Sequence, residues 1–317
     1  MPRNELVTFT HDSWPMHGIV HLPSAEPRRR VGVVVLQGNL NSSPKFGAHW
    51  MFRRVSDALA EAGFYALRYD DRGTCDSPGQ CELTFRDRIT DLCAAAKFFR
   101  SEYRLDGLVF WGLCMGAAVA VHGSARLKRQ ERPDALILCS VLAHPDDASL
   151  PEFGYRATTV SAFLRNTSTG NLWTKLRRFV SDGSYRRNAY ECVRAVAVGY
   201  AHRNPELREL RADVRRVGGL MSRYDHPMLL IFGEKDPFWI SFTKWVNPND
   251  KLRLSRKKVP PKLVVMEDGD HVFASMGQMS DLVESTVEWL QTLWASTNST
   301  SSFLERPDGI LAKPVID

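Results

Sequence analysis

Apolar runs alternate along this chain with amphipathic segments of helical period. Residues 31–36 (VGVVVL) form an unbroken, valine-rich run, the composition of a strand covered on both faces. Ahead of it, residues 6–10 and 18–22 predict a hairpin; after it, 64–69, 108–111 and 135–143 predict further strands. Two more lie in MLLIFGEKD (228–236) and KLVVMEDGD (262–270), each running out into a polar loop. Helices fill the intervals. Residues 48–62 set Trp50, Val55 and Leu59 at helical spacing and stop at Gly63, residues 87–99 are amphipathic, and 281–294 align Leu282, Val283, Val287, Leu290 and Leu293. This alternation predicts an α/β fold, a mostly parallel central sheet with right-handed crossovers, flanked by helices.

The stretch LVFWGLCMGAAVA (108–120) concentrates the candidate chemistry. An apolar strand halts at Gly112, presents Cys114 and passes through Gly116 into an alanine-rich helix, the spacing of a G-x-S-x-G nucleophile elbow with cysteine in place of serine. On its own, a cysteine here also fits an inert core position, since free cysteine is among the most buried residue types. Further along the chain, Asp236 and His271 each follow a predicted strand, giving the order nucleophile, acid, base. In that arrangement Cys114 attacks an acyl carbon, His271 handles its proton, and Asp236 fixes the imidazole tautomer. Asp268 and Asp270 flank His271, but a carboxylate one residue away is poorly placed to meet its ring. The backbone N–H of Met115, with that of Asn39 after the third strand, is the expected oxyanion hole.

Order of elements, elbow, late aspartate and late histidine together resemble the α/β hydrolase superfamily over residues 6–294. Asp71, Arg72, Gly73 and Ser77 in YDDRGTCDSPG match its D-x-R-G-x-G-x-S loop, with Cys75 where glycine is common. Gln37 and Gly38 stand where the family often has His-Gly. More narrowly, the WGLC elbow and the G-D-H histidine resemble hydrolases associated with bacterial exosortase and exopolysaccharide clusters. The cysteine is similar to that of dienelactone hydrolases and polyhydroxyalkanoate synthases, although Ala117 departs from their G-x-C-x-G-G. The resemblance implies a core formed by 1–143 and 227–295, a helical cap inserted at 144–226, and a tail at 296–317. It also implies hydrolysis of an ester or thioester through an acyl-enzyme. Transfer of the acyl group to an alcohol or amine is the alternative, and a non-catalytic ligand-binding protein is the second.

Composition adds to this picture chiefly through charge. Residues 144–226 hold fourteen Arg and Lys against nine Asp and Glu, an excess of five out of the chain's net +6. A basic cap suits an acidic acyl carrier such as coenzyme A or acyl carrier protein, an anionic sugar polymer or membrane headgroups; arginine stems covering apolar surface would give the same count. Nucleic acid is not expected, for no reading motif is present. Neither is a cofactor or a metal: there is no P-loop, no G-x-G-x-x-G after a strand and no H-E-x-x-H. His11, His17 and His21 share the first hairpin, but no acidic or cysteine ligand completes a metal set. At 317 residues and 44% hydrophobic content the chain can bury one large core, and no run reaches the roughly 18 apolar residues of a membrane span. MPRNELVTFT lacks the apolar centre of a signal peptide, and six cysteines without paired C-x-x-C spacing fit a reducing compartment, so a cytoplasmic location is expected.

Overall fold

The computed structural model of the protein describes residues 3–38, 45–79, 84–143, 205–245, 249, 253–254 and 256–296. Among them an eight-stranded sheet runs in the order β1-β2-β4-β3-β5-β6-β7-β8. Its strands are β1 (Arg3–His11), β2 (Trp14–Leu22), β3 (Val31–Leu36), β4 (Tyr65–Tyr69), β5 (Gly107–Leu113), β6 (Ala135–Cys139), β7 (Met228–Gly233) and β8 (Lys262–Met266). The β1–β2 hairpin joins β4 antiparallel, and every pairing from β4 to β8 is parallel. The central strands β3, β5, β6 and β7 are buried at every position, as their continuous apolar runs require. The outer strand β1 alternates instead, leaving Leu6 exposed while Phe9 enters the core.

The helices are α1 (Met51–Glu61), α2 (Phe85–Glu102), α3 (Met115–Arg126), α4 (Pro205–Arg223), α5 (Pro237–Trp245) and α6 (Met276–Ser296). A capping box starts α2: the Thr84 hydroxyl accepts from the Asp87 N–H while the Asp87 carboxylate accepts from the Thr84 N–H. The helix expected from residue 48 begins only at Met51. His49 and Trp50 have positive φ, so the chain turns before the helix starts, and Trp50 leaves the apolar stripe for solvent, where Phe46 and Arg53 cover its ring. The strand expected to reach residue 143 ends at Cys139, because Ser140 has φ 49° and donates its N–H to the Ile231 carbonyl at 2.8 Å.

The chain divides into two compact units, Met1–Ala143 with Val217–Asp317, and His144–Arg216. The helical cap expected at 144–226 lies outside the described residues as far as residue 204, as does the tail beyond Ser296. No helix among the described residues is long and apolar enough to cross a membrane.

The three hairpin histidines go to separate partners. His11 Nε2 lies 3.3 Å from Asp12 Oδ2, and the His17 ring meets the Thr8 hydroxyl at 3.0 Å. His21 is wholly buried: Arg68 Nε donates to its Nε2 at 2.8 Å, which leaves the ring proton on Nδ1, facing Asp57 Oδ1 at 2.8 Å. Burial, then the Arg68 charge, lowers the His21 pKa to about 4. Between the ordinary imidazole value and 4, the unfolded chain binds a proton that the native state refuses. The stabilisation is therefore complete above pH ~6.5 and lost as pH falls to 4, on the order of 3 kcal/mol. Asp91 acts in the opposite sense, for burial and then the Asp71 charge raise its pKa to about 7, so its ionisation destabilises the fold as pH rises. The difference between wild type and His21→Gln isolates the histidine: their gap in urea midpoint should close between pH 7 and pH 4. A gap independent of pH would show that His21 is not held neutral.

Candidate active site

The elbow is built by backbone contacts that only glycine permits. Strand β5 passes directly into α3 through Cys114, held at φ 58°, ψ −119°, a conformation that costs a non-glycine residue about 1–3 kcal/mol. The neighbours fix it there: the Cys114 N–H donates to the Cys139 carbonyl at 2.8 Å, and the Cys114 carbonyl accepts from the Ala117 N–H at 3.1 Å. A Cβ on Gly112 would lie 2.5 Å from the Gly116 carbonyl group, and one on Gly116 only 2.4 Å from the Gln37 carbonyl oxygen. Met115 is the first residue of α3, so its N–H belongs to the first turn, which has no acceptor within the helix, at the positive end of the helix dipole.

A second crossing joins Asp236 to His271. Gly233 ends β7 with its Cα against Gly269, and the loops are tied by Glu234 N–H to the Met266 carbonyl (3.0 Å) and Lys235 N–H to the Gly269 carbonyl (2.9 Å). Asp236, fully buried, accepts at Oδ1 from the Phe238 N–H (2.9 Å) and from His271 Nδ1 (3.1 Å). Since a carboxylate only accepts, the histidine proton sits on Nδ1, leaving Nε2 for the hydrogen bond with Cys114. Phe238 meets the imidazole edge-on at 4.6 Å and sets its plane. Burial opposes protonation of His271. The Cys114 charge and the bonds to Asp236 and Cys114 outweigh it, holding the imidazole well above its ordinary pKa.

Asp270 does not orient the histidine: its Oδ1 caps the loop, accepting from the Val272 (2.9 Å) and Ala274 (3.2 Å) N–H groups. Asp268 pairs with Lys235 at 2.6 Å on the surface. Asn39 lies outside the described residues. The segment leading to it does reach the elbow, for a Cβ on Gly38 would be 3.4 Å from the Cys114 Cβ.

The loop motif is shifted by one residue from the sequence match. Two residues before Arg72, its first aspartate is Asp70, which binds Lys45 Nζ at 2.5 Å and the Lys45 N–H at 2.9 Å. Asp71 instead turns inward, where its Oδ2 accepts from Arg88 Nε (2.8 Å) and Gln37 Nε2 (3.0 Å). Arg88 escapes a reading of charge alone, although a signal exists. It falls on the same helical face as Phe85, Ile89 and Leu92, a cation inside an apolar stripe.

Comparison with known proteins supplies the family. The family model of serine aminopeptidase, S33, matches residues 45–241, more than half of the chain. Among solved structures, esterase Est1E of Butyrivibrio proteoclasticus with ferulic acid bound superposes with TM-score 0.60 at 16% identity, covering 91% of this chain and 99% of its own. A Pyrococcus furiosus esterase gives TM-score 0.60 at 18% identity (93% and 91% covered), and a dienelactone hydrolase of Anabaena variabilis 0.55 at 13% (92% and 98%). No curated protein matches. At these identities the structures show the fold, an α/β hydrolase sheet flanked by helices. The family is one of serine hydrolases, whereas this elbow carries cysteine. From the extent of the family match, the chain belongs to the serine aminopeptidase S33 family of α/β hydrolases.

Proposed function

We propose that the protein is an acyl hydrolase of esters or thioesters that works through a Cys114–His271–Asp236 triad and a thioester acyl-enzyme. The observation that carries this reading is one imidazole bonded both to a fully buried carboxylate and to a thiol on a strained elbow. Cys114 gives its proton to His271 Nε2 and becomes the nucleophile. Its sulfur forms a bond to the acyl carbon, and the carbonyl π electrons move to oxygen. That oxyanion is received by the Met115 N–H and, as the sequence predicts, the Asn39 N–H; each such donor contributes roughly 3–4 kcal/mol in the transition state. Collapse expels the alkoxide or thiolate, which takes the proton of His271 Nε2. The neutral imidazole then removes a proton from water, hydroxide adds to the thioester carbon, and the second collapse releases the acid while the imidazolium returns its proton to the Cys114 sulfur. Asp236 holds the Nδ1 proton throughout.

The esterases among the structural neighbours fit an ester substrate, and residues 144–226 are the segment we assign to the helical cap. A basic cap favours a carrier-bound or otherwise anionic acyl donor. The test is intact mass of wild type and Cys114→Ala after exposure to acyl thioesters and activated esters, with peptide mapping. An acyl increment on Cys114, absent from the variant and lost in water, is the expected result. An increment that leaves only when alcohols or amines are added would make the protein a transferase. Substrate bound unchanged by both proteins, with no increment, would overturn catalysis.

A further inference from the structure

We propose, resting on that reading of the elbow, that Arg88 is a positioning residue which clamps the Gln37–Gly38 peptide and so orients the backbone at Gly38 that faces Cys114. Arg88 lies 51 residues from Gln37 in sequence, on α2, yet its Nη2 donates to the Gln37 carbonyl at 2.7 Å while its Nε donates to Asp71 Oδ2 at 2.8 Å. Gln37 Nε2 closes the triangle on the same Asp71 oxygen at 3.0 Å. Each of the three residues is less than 5% exposed.

A buried ion pair is weak ground for stability, since an apolar pair of similar volume commonly does as well. What a guanidinium adds is direction, because its planar fork fixes two acceptors at once. Here one of them is the carbonyl against which the elbow packs, 2.4 Å from where a Cβ on Gly116 would stand. A trans peptide is planar, with C=O and N–H opposed, so a carbonyl held toward Arg88 turns the Gly38 N–H to the other side. Released from the guanidinium, this peptide can flip, which would put the Gln37 carbonyl, an acceptor, on the side now taken by the Gly38 N–H and turn the backbone that leads to the Asn39 donor. Arg88 touches neither thiol nor substrate on this account; it acts through the Gln37–Gly38 peptide.

Two reactions of Cys114 separate positioning from general damage. Acylation by p-nitrophenyl acetate builds an oxyanion, whereas alkylation by iodoacetamide displaces iodide at a saturated carbon and builds none. In Arg88→Met, acylation should slow by about 10²-fold, as when one oxyanion donor is lost, while alkylation stays within about twofold of wild type. The half-saturating ester concentration should not move. Arg88→Lys, which keeps the charge but loses the fork, should fall between them, and it carries the test if the methionine variant does not fold. Acylation and alkylation slowing together in a folded variant, or neither slowing, would overturn the clamp while leaving the triad standing. A wild type that is alkylated but never acylated would overturn both.

Discussion

Cys114→Ala should lower kcat/KM by at least about 10⁴-fold, the scale on which covalent machinery exceeds what binding and an oxyanion hole achieve alone. The fold should hold, because Cys114 is small, buried and bonded to its surroundings through backbone atoms that alanine retains. Cys114→Ser is the more informative change. Its hydroxyl keeps its proton, so His271 loses the partner charge that most strongly raises its pKa and returns toward the ordinary imidazole range. The serine variant then needs His271 neutral as a base, and its rate should rise with pH through about 6.5. Wild type, whose His271 is held well above the ordinary imidazole value by Cys114 and Asp236, should show no such limb there. A pH series of kcat/KM decides the matter: superimposable profiles, or an alanine variant within tenfold of wild type, would remove Cys114 from the mechanism.

The parts of this molecule legible in the sequence are those whose physical requirement is local. A strand covered on both faces must be apolar at every position, so β3 and β7 are readable from composition alone. The elbow needs glycine on both sides of Cys114, and that spacing is visible without a structure. Their order and their place after strands single out Asp236 and His271 in the sequence, but nothing local says that Gly233 and Gly269 bring their loops together. Periodicity places Trp50 in the apolar stripe, but two left-handed residues rotate the chain ahead of α1, which periodicity cannot register. Asp70 and Asp71 are adjacent carboxylates with opposite fates, one toward Lys45 and one toward Arg88, settled by partners 25 and 17 residues away. Arg88 itself breaks the apolar pattern of α2, and such a break becomes meaningful only once its acceptor is known.

Gly233→Ala should damage catalysis and stability together, for reasons that the glycine pair makes quantitative. A Cβ at this position would stand 2.4 Å from the carbonyl carbon and oxygen of Gly269 and 2.7 Å from the Asp270 carbonyl oxygen, all backbone atoms that no rotamer change can move aside. The two loops must therefore part, stretching the bonds from Glu234 to Met266 and from Lys235 to Gly269. Overpacking of this kind costs about 1–3 kcal/mol in a packed interior. Because Asp236 lies three residues after Gly233 and His271 two after Gly269, the same displacement lengthens the 3.1 Å contact between carboxylate and imidazole. A shift of about 1 Å at a catalytic pair typically costs about 10²-fold in rate. Gly219→Ala is the matched control, since in α4 its Cβ would find only the Arg223 guanidinium, 3.9 Å away. There, exchanging a helical glycine for alanine should stabilise by about 1 kcal/mol and leave the rate alone. Equal behaviour of the two variants in urea unfolding and in turnover would show that the two loops are not held at this crossing.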